Sequence, residues 1–203
     1  MKSRGRVIAM ALCAALALGC GAGSLWIEAK AVLAQVLLER AWSNTAGARD
    51  RIKPWPWADT WPVARLSVPR LGERWIVLAG ASGRTLAFGP GHLDGTPLPG
   101  ERGNVVLAGH RDTQFATLEA LQLGDELLVE TPARKIARFQ VSDLEIIDQR
   151  ELARVTARGE DGLTLVTCWP FGALVPGGNL RYVVRASPVI DESMHPQRLA
   201  IRG

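Results

Sequence analysis

Only three cysteines, three histidines and one tyrosine occur among the 203 residues, and this scarcity excludes several kinds of protein at once. Cys13, Cys20 and Cys168 form no CxxC pair, so neither a dithiol redox centre nor a disulfide framework is indicated. His92, His110 and His195 show no compact ligand spacing and HExxH is missing, so no metal site is expected. GxGxxG, GxxxxGK[ST] and GxSxG are missing too, which leaves nucleotide cofactors and serine-esterase chemistry without support. The chain has no Lys/Arg-dense run and hence no nucleic-acid footprint. Its net charge of +4 comes mostly from Lys2, Arg4 and Arg6; the rest is close to neutral.

Charge is also absent over residues 7–27, VIAMALCAALALGCGAGSLWI. As a helix that run would span roughly 31 Å, about the hydrocarbon thickness of a bilayer. Three cations precede it, whereas Glu28 and Lys30 follow and nearly cancel. The asymmetry predicts a single-pass transmembrane helix in the plasma (inner) membrane, with residues 1–6 cytoplasmic and the remainder exported. Two other readings stay open: a cleaved signal peptide, given the Ala, Gly and Ser clustered at 19–24, and a lipid-attachment signal ending at Cys20. All three put the following domain outside the cytoplasm. There Cys168 is a single thiol in a compartment where cysteines are usually paired, so burial or chemistry must account for it.

Residues 28–61 read as a juxtamembrane helix and a linker. Val32, Leu33, Val36, Leu37 and Ala41 recur at helical spacing; then GARDRIKPWPWADTWP, rich in Pro and Trp, excludes regular helix. Trp55, Trp57 and Trp61 suit a groove, a membrane surface or the closing of a core. From residue 62 to about 190 the pattern is strand-like. VARLSV (63–68), RWIVLAG (74–80), NVVLAG (104–109), DELLVET (125–131), KIARFQV (135–141), LTLVT (163–167) and LRYVVRA (180–186) are short β-prone runs separated by turn signals. Short helices are expected at 113–120, capped by Asp112, and at 149–153. So much strand and so little helix predicts a mostly β domain, a closed or nearly closed barrel, with a two-sheet sandwich as the alternative. Residues 191–203 form a tail.

Two polar residues end strand candidates. Cys168 closes LTLVT and is either an inert core thiol or a nucleophile supported by a rigid strand end. His110 closes NVVLAG; it is either a solvated structural residue or an acid, base or imidazolium beside a thiolate. Arg181 opens the last strand with a permanently charged fork of donors, suited to an oxyanion or a carbonyl. Arg185, four residues on and on the same face, competes for that role. His92, in the glycine-rich GPGHLDG, reads as structural.

Together these residues resemble the sortase family, the cysteine transpeptidases that attach proteins to cell-surface acceptors. The TLxTC signature appears as Thr164-Leu165-Val166-Thr167-Cys168, the histidine signature as Val106-Leu107-Ala108-Gly109-His110-Arg111-Asp112-Thr113, and the arginine signature as Leu180-Arg181-Tyr182-Val183-Val184. The segment LAFGPGH (86–92), with Pro99-Gly100 and Gly103-Asn104, resembles the approach to the histidine. The stretch CWPFGALVPGGNLRYVV is most similar to the sortases of Gram-negative bacteria (class GN), with Trp169 where tyrosine is common. The resemblance implies a closed eight-stranded sortase-type barrel, with DLEIID (143–148) as the eighth strand. It also implies His110, Cys168 and Arg181 as catalytic residues and no cofactor. The implied partners are a protein bearing a C-terminal sorting signal similar to Leu-Pro-x-Thr-Gly, an amine acceptor, and the membrane through residues 7–27. An endopeptidase using the same residues, or a non-catalytic membrane-tethered envelope barrel, are the competing functions.

Overall fold

Short apolar runs and one two-residue strand build eight strands: β1 (Pro62–Val68), β2 (Glu73–Ala79), β3 (Gly91–His92), β4 (Asn104–Ala108), β5 (Glu126–Glu130), β6 (Ile136–Asp148), β7 (Gly162–Cys168) and β8 (Leu180–Pro188). A computed structural model describes residues 29–46, 50–157, 159–173 and 177–189. The strands close into a barrel in the order β1-β2-β3-β4-β7-β8-β6-β5, with β5 returning to β1 at Leu66↔Val129. Most neighbours are antiparallel, but β4 and β7 run parallel in unbroken register from Asn104↔Gly162 to Ala108↔Val166.

Side-chain alternation separates the two faces of this wall. Val105, Leu107, Leu163, Leu165, Val184 and Ala186 point into the main core with Leu66, Val77, Leu127 and Phe139. Val106, Val166, Val183 and Ile147 point the other way and form a second apolar cluster, flanked by Leu93 and Leu152. β7 is thus apolar on both faces, as a strand in a parallel pair commonly is. Polar groups at its ends therefore stand out.

Residues 29–43 form helix α1, but most of the apolar residues that recur there at helical spacing do not face the barrel. Val32, Leu33 and Val36 are exposed, whereas Ala34, Leu38, Ala41 and Trp42 are buried, with Leu38 and Trp42 against Ile76, Leu78 and Phe88. Both faces of α1 are apolar, so periodicity alone does not choose between them. The Arg134 guanidinium lies 4.8 Å from the Trp42 ring centre and donates to the carbonyls of Trp42 and Ser43, satisfying acceptors that a helix end leaves open.

The transmembrane helix expected over 7–27 is not supported. No helix among the described residues is long and apolar enough to cross a membrane, and 7–27 lies outside the described residues. The helix seen next to it, 29–43, falls short of the ~20 apolar residues a span needs and carries Lys30, Glu39 and Arg40. The single-pass plasma-membrane placement, with its cytoplasmic N-terminus and exported domain, loses its support with the helix.

Two further expectations change. The eighth strand is not 143–148, which continues β6 across a bulge between Val141 and Asp143; it is β3, only two residues long. His92 accordingly lies in a strand, buried, with its Nε2 within hydrogen-bonding distance of the Pro97 carbonyl and the Thr96 hydroxyl. The helix expected at 113–120 is a 3-10 helix, Ala116–Ala120, whose cap position is Phe115, without a side-chain cap; Asp112 lies outside that position and pairs with Arg111. A 3-10 turn (Gln149–Glu151) running into helix α3 (Leu152–Thr156) covers the site expected for the second helix, and an additional helical turn, α2 (Gly83–Leu86), is capped by Ser82.

Candidate active site

Strand register brings the three candidate residues together. Cys168 ends β7 directly opposite Arg181 of β8. Across the other edge of β7, the Gly109 N–H donates to the Val166 carbonyl at 3.1 Å, and the buried Thr167 hydroxyl donates to the Gly109 carbonyl at 2.7 Å. These bonds carry the β4–β7 ladder one step past its last paired residues, so His110 and Cys168 leave their strands side by side. By alternation His110 follows Val106 and Ala108, Cys168 follows Val166, and Arg181 precedes Val183: all belong to the face of the second apolar cluster, not to the barrel interior. Cys168 is a free, half-buried thiol, and His110 is exposed.

The backbone at His110 is held from below. Its carbonyl accepts from the N–H groups of Thr113 and Phe115, folding 110–115 into a tight turn. Phe115 is fully buried and meets the Trp75 ring edge-on at 5.8 Å. A Cβ on Gly109 would stand 2.6 Å from that phenyl ring, so only glycine lets the strand lie on it. Arg111 is buried, with a side chain only 4% exposed. It pairs with Asp112 at 3.0 Å and donates to the Ala173 carbonyl at 3.1 Å, tying the end of β4 to the β7–β8 connection.

On the far side of Cys168, Arg181 donates to the carbonyls of Gly178 and Leu180 and to Oε1 of Gln149. Arg185 lies opposite Thr164, further down the strand, and is bound by the carboxylates of Asp143 and Glu145. Of the two arginines, Arg181 stands beside the thiol and Arg185 is committed to an ion-pair network. The rim next to Cys168 is aromatic: Trp169 stacks on Tyr182 at 5.8 Å, and Phe171 meets both rings edge-on. Burial raises the Tyr182 phenol above its ordinary pKa, with Glu119 adding to the shift, so the ring stays neutral at physiological pH.

The three tryptophans of the linker lie apart from these residues. Trp55 packs on Phe88, Trp61 sits beneath the Arg51 guanidinium, and Trp57 is 82% exposed. Trp55, Trp57 and Phe88 help line a groove of about 660 Å³ against α1. Phe115 and Gln149, which shape the site, were missed from the sequence, and Arg111 and Thr167 were noted only as members of the quoted signatures, without a role.

A sortase-domain family model matches residues 66–189. Sortase D of Bacillus subtilis (strain 168) is 29% identical over 120 residues, which cover 59% of this chain and 60% of that protein. Among solved structures, sortase C1 of Streptococcus agalactiae is 28% identical with a TM-score of 0.57, covering 64% of this chain and 69% of that one. Sortase A of Corynebacterium diphtheriae is 25% identical with a TM-score of 0.59, covering 70% and 66%. The chain thus spans less than two thirds of the curated relative it matches. These relatives correct the narrower resemblance to the Gram-negative class, because they are sortases of the Gram-positive types A, C and D. The stretch behind that resemblance runs from the end of β7 to β8, and its Cys168 and Arg181 are strand-end features that do not separate one class from another. Since the family model covers more than half of the sequence, from β1 to the end of β8, the chain belongs to the sortase family of cysteine transpeptidases.

Proposed function

We propose that this protein is a sortase-type transpeptidase with Cys168 as nucleophile, His110 as proton donor and acceptor, and Arg181 as the cation that orients the substrate and offsets oxyanion charge. The supporting observation is the register itself: cross-strand partnership of Cys168 with Arg181 on one edge of β7, and the Gly109–Thr167 bond on the other. The reaction is acyl transfer. The Cys168 thiolate adds to the carbonyl of a threonine-like residue in an extended sorting signal similar to Leu-Pro-x-Thr-Gly, and the negative charge moves onto the carbonyl oxygen, where a fork of donors is most effective. Collapse breaks the C–N bond; imidazolium His110 gives its proton to the departing amine, leaving a thioester on Cys168. An incoming amine then opens the thioester, its proton returns to His110, and the thiolate is restored.

Intact mass spectrometry of the protein with a sorting-signal peptide tests this. The native protein gains the mass of the acyl fragment, and an added amine converts that adduct to a ligated product. Cys168→Ala shows neither adduct nor turnover. Cleavage that persists in Cys168→Ala refutes the assignment. Hydrolysed product alone, whatever amine is supplied, identifies an endopeptidase instead.

A further inference from the structure

Gln149 takes no part in the chemistry above, yet among the described residues it is the one side chain that grips the Arg181 guanidinium. It follows β6 and opens the 3-10 turn Gln149–Glu151. Its backbone N–H donates to the Asn179 carbonyl at 2.7 Å, and its Nε2 lies 3.3 Å from Asn179 Oδ1. The amide is thereby oriented with Oε1 toward Arg181, whose Nη2 donates to it at 2.7 Å. Nη1 of Arg181 serves the carbonyls of Gly178 and Leu180 at 2.7 and 2.8 Å. Three of the five guanidinium N–H groups are therefore occupied. The Nε–H and one Nη2–H have no partner among the described residues.

Every acceptor in this set is neutral. On the same strand and face, Arg185 is held by two carboxylates, which neutralise it. An amide oxygen and two carbonyls fix the plane of Arg181, and no carboxylate among the described residues pairs with it. We propose that Gln149 is a positioning residue for the acyl-transfer reaction: it locks Arg181 so that the two remaining donors face the carbonyl oxygen held over Cys168. The inference rests on the role given to Arg181 under Proposed function.

A double-mutant cycle on the full chain, read as steady-state cleavage of a sorting-signal peptide, tests it. Gln149→Met keeps the length of the side chain and removes the acceptor; the backbone bond to Asn179 remains, and the position is exposed. A hydrogen bond to a charged group near the surface predicts a fall of roughly ten-fold in kcat with KM little changed. In an Arg181→Ala background the same substitution costs less than about two-fold, since the group it positions is gone. Equal losses in both backgrounds, or no loss in the native background, overturn the proposal. An Arg181→Ala variant that is itself fully active overturns instead the role of Arg181 on which the proposal rests.

Discussion

A methyl group on Gly109 has nowhere to go. Built on the native backbone, it lies 2.6, 2.7 and 3.0 Å from three carbons of the Phe115 ring, well inside van der Waals contact. The ring is fully buried and braced by Trp75, and its own N–H is bonded to the His110 carbonyl, so it cannot retreat without disturbing the turn. Forcing an extra methyl into a packed interior costs about 1–3 kcal/mol. For a chain of this size each kcal/mol lowers Tm by roughly 2–4 °C. Activity suffers more than stability, because the displaced residue adjoins His110 and a shift of about 1 Å at a reacting group can cost a hundred-fold. Thermal melts and peptide turnover of Gly109→Ala, Phe115→Leu and the double variant measure this. The shorter leucine gives the methyl room, so Gly109→Ala costs less in the Phe115→Leu background. Strictly additive losses, or a Gly109→Ala variant indistinguishable from the native protein, would show that the ring does not set the strand end.

Arg181→Ala lowers kcat/KM by about a hundred-fold or more, the loss expected for an oxyanion donor, whereas Arg185→Ala costs about 1 kcal/mol of stability with turnover preserved; peptide kinetics beside urea melts separate the two. Thr167→Val leaves the buried Gly109 carbonyl without its hydroxyl donor, costing about 1–3 kcal/mol in urea unfolding, and lowers kcat because the bond ties the strands of His110 and Cys168. The Arg70 guanidinium, helped by the Gln122 N–H, holds the Asp125 carboxyl below its usual pKa against an opposing effect of burial. A depressed pKa stabilises the fold above the ordinary carboxylate range and the benefit is lost as pH falls through the folded value, so Tm drops below about pH 4. Asp125→Asn flattens that acid limb while lowering Tm near neutrality.

The seven longer strands were legible because each is a β-prone apolar or alternating run of five or more residues bounded by turn signals; their ends fall within a residue or two, apart from β6. β3 was not legible, since two residues in a glycine-rich segment have no periodicity. The bulge in β6 breaks its alternation at Ser142, which makes one strand read as two. Cys168, His110 and Arg181 could be picked out as polar side chains at strand ends, but their meeting could not, because it depends on which strands pair. The grip of Gln149 on Arg181 was hidden for the same reason: 32 residues separate the partners. In α1 the sequence offers two apolar faces, and only Trp42, Ile76 and Leu78 packing together decides between them.

The barrel order divides the molecule into two consecutive halves, with β1 to β4 in chain order along one arc and β5, β6, β8 and β7 along the other. The joint between β4 and β7 unites segments that are distant along the chain, and His110 and Cys168 follow its last paired residues. A chain folded only in its first half holds His110 without Cys168 and Arg181; one folded only in its second holds Cys168 and Arg181 without His110. Long-range parallel pairing is slow to form, so on the proposed roles a half-built barrel is chemically silent until the two arcs have fused.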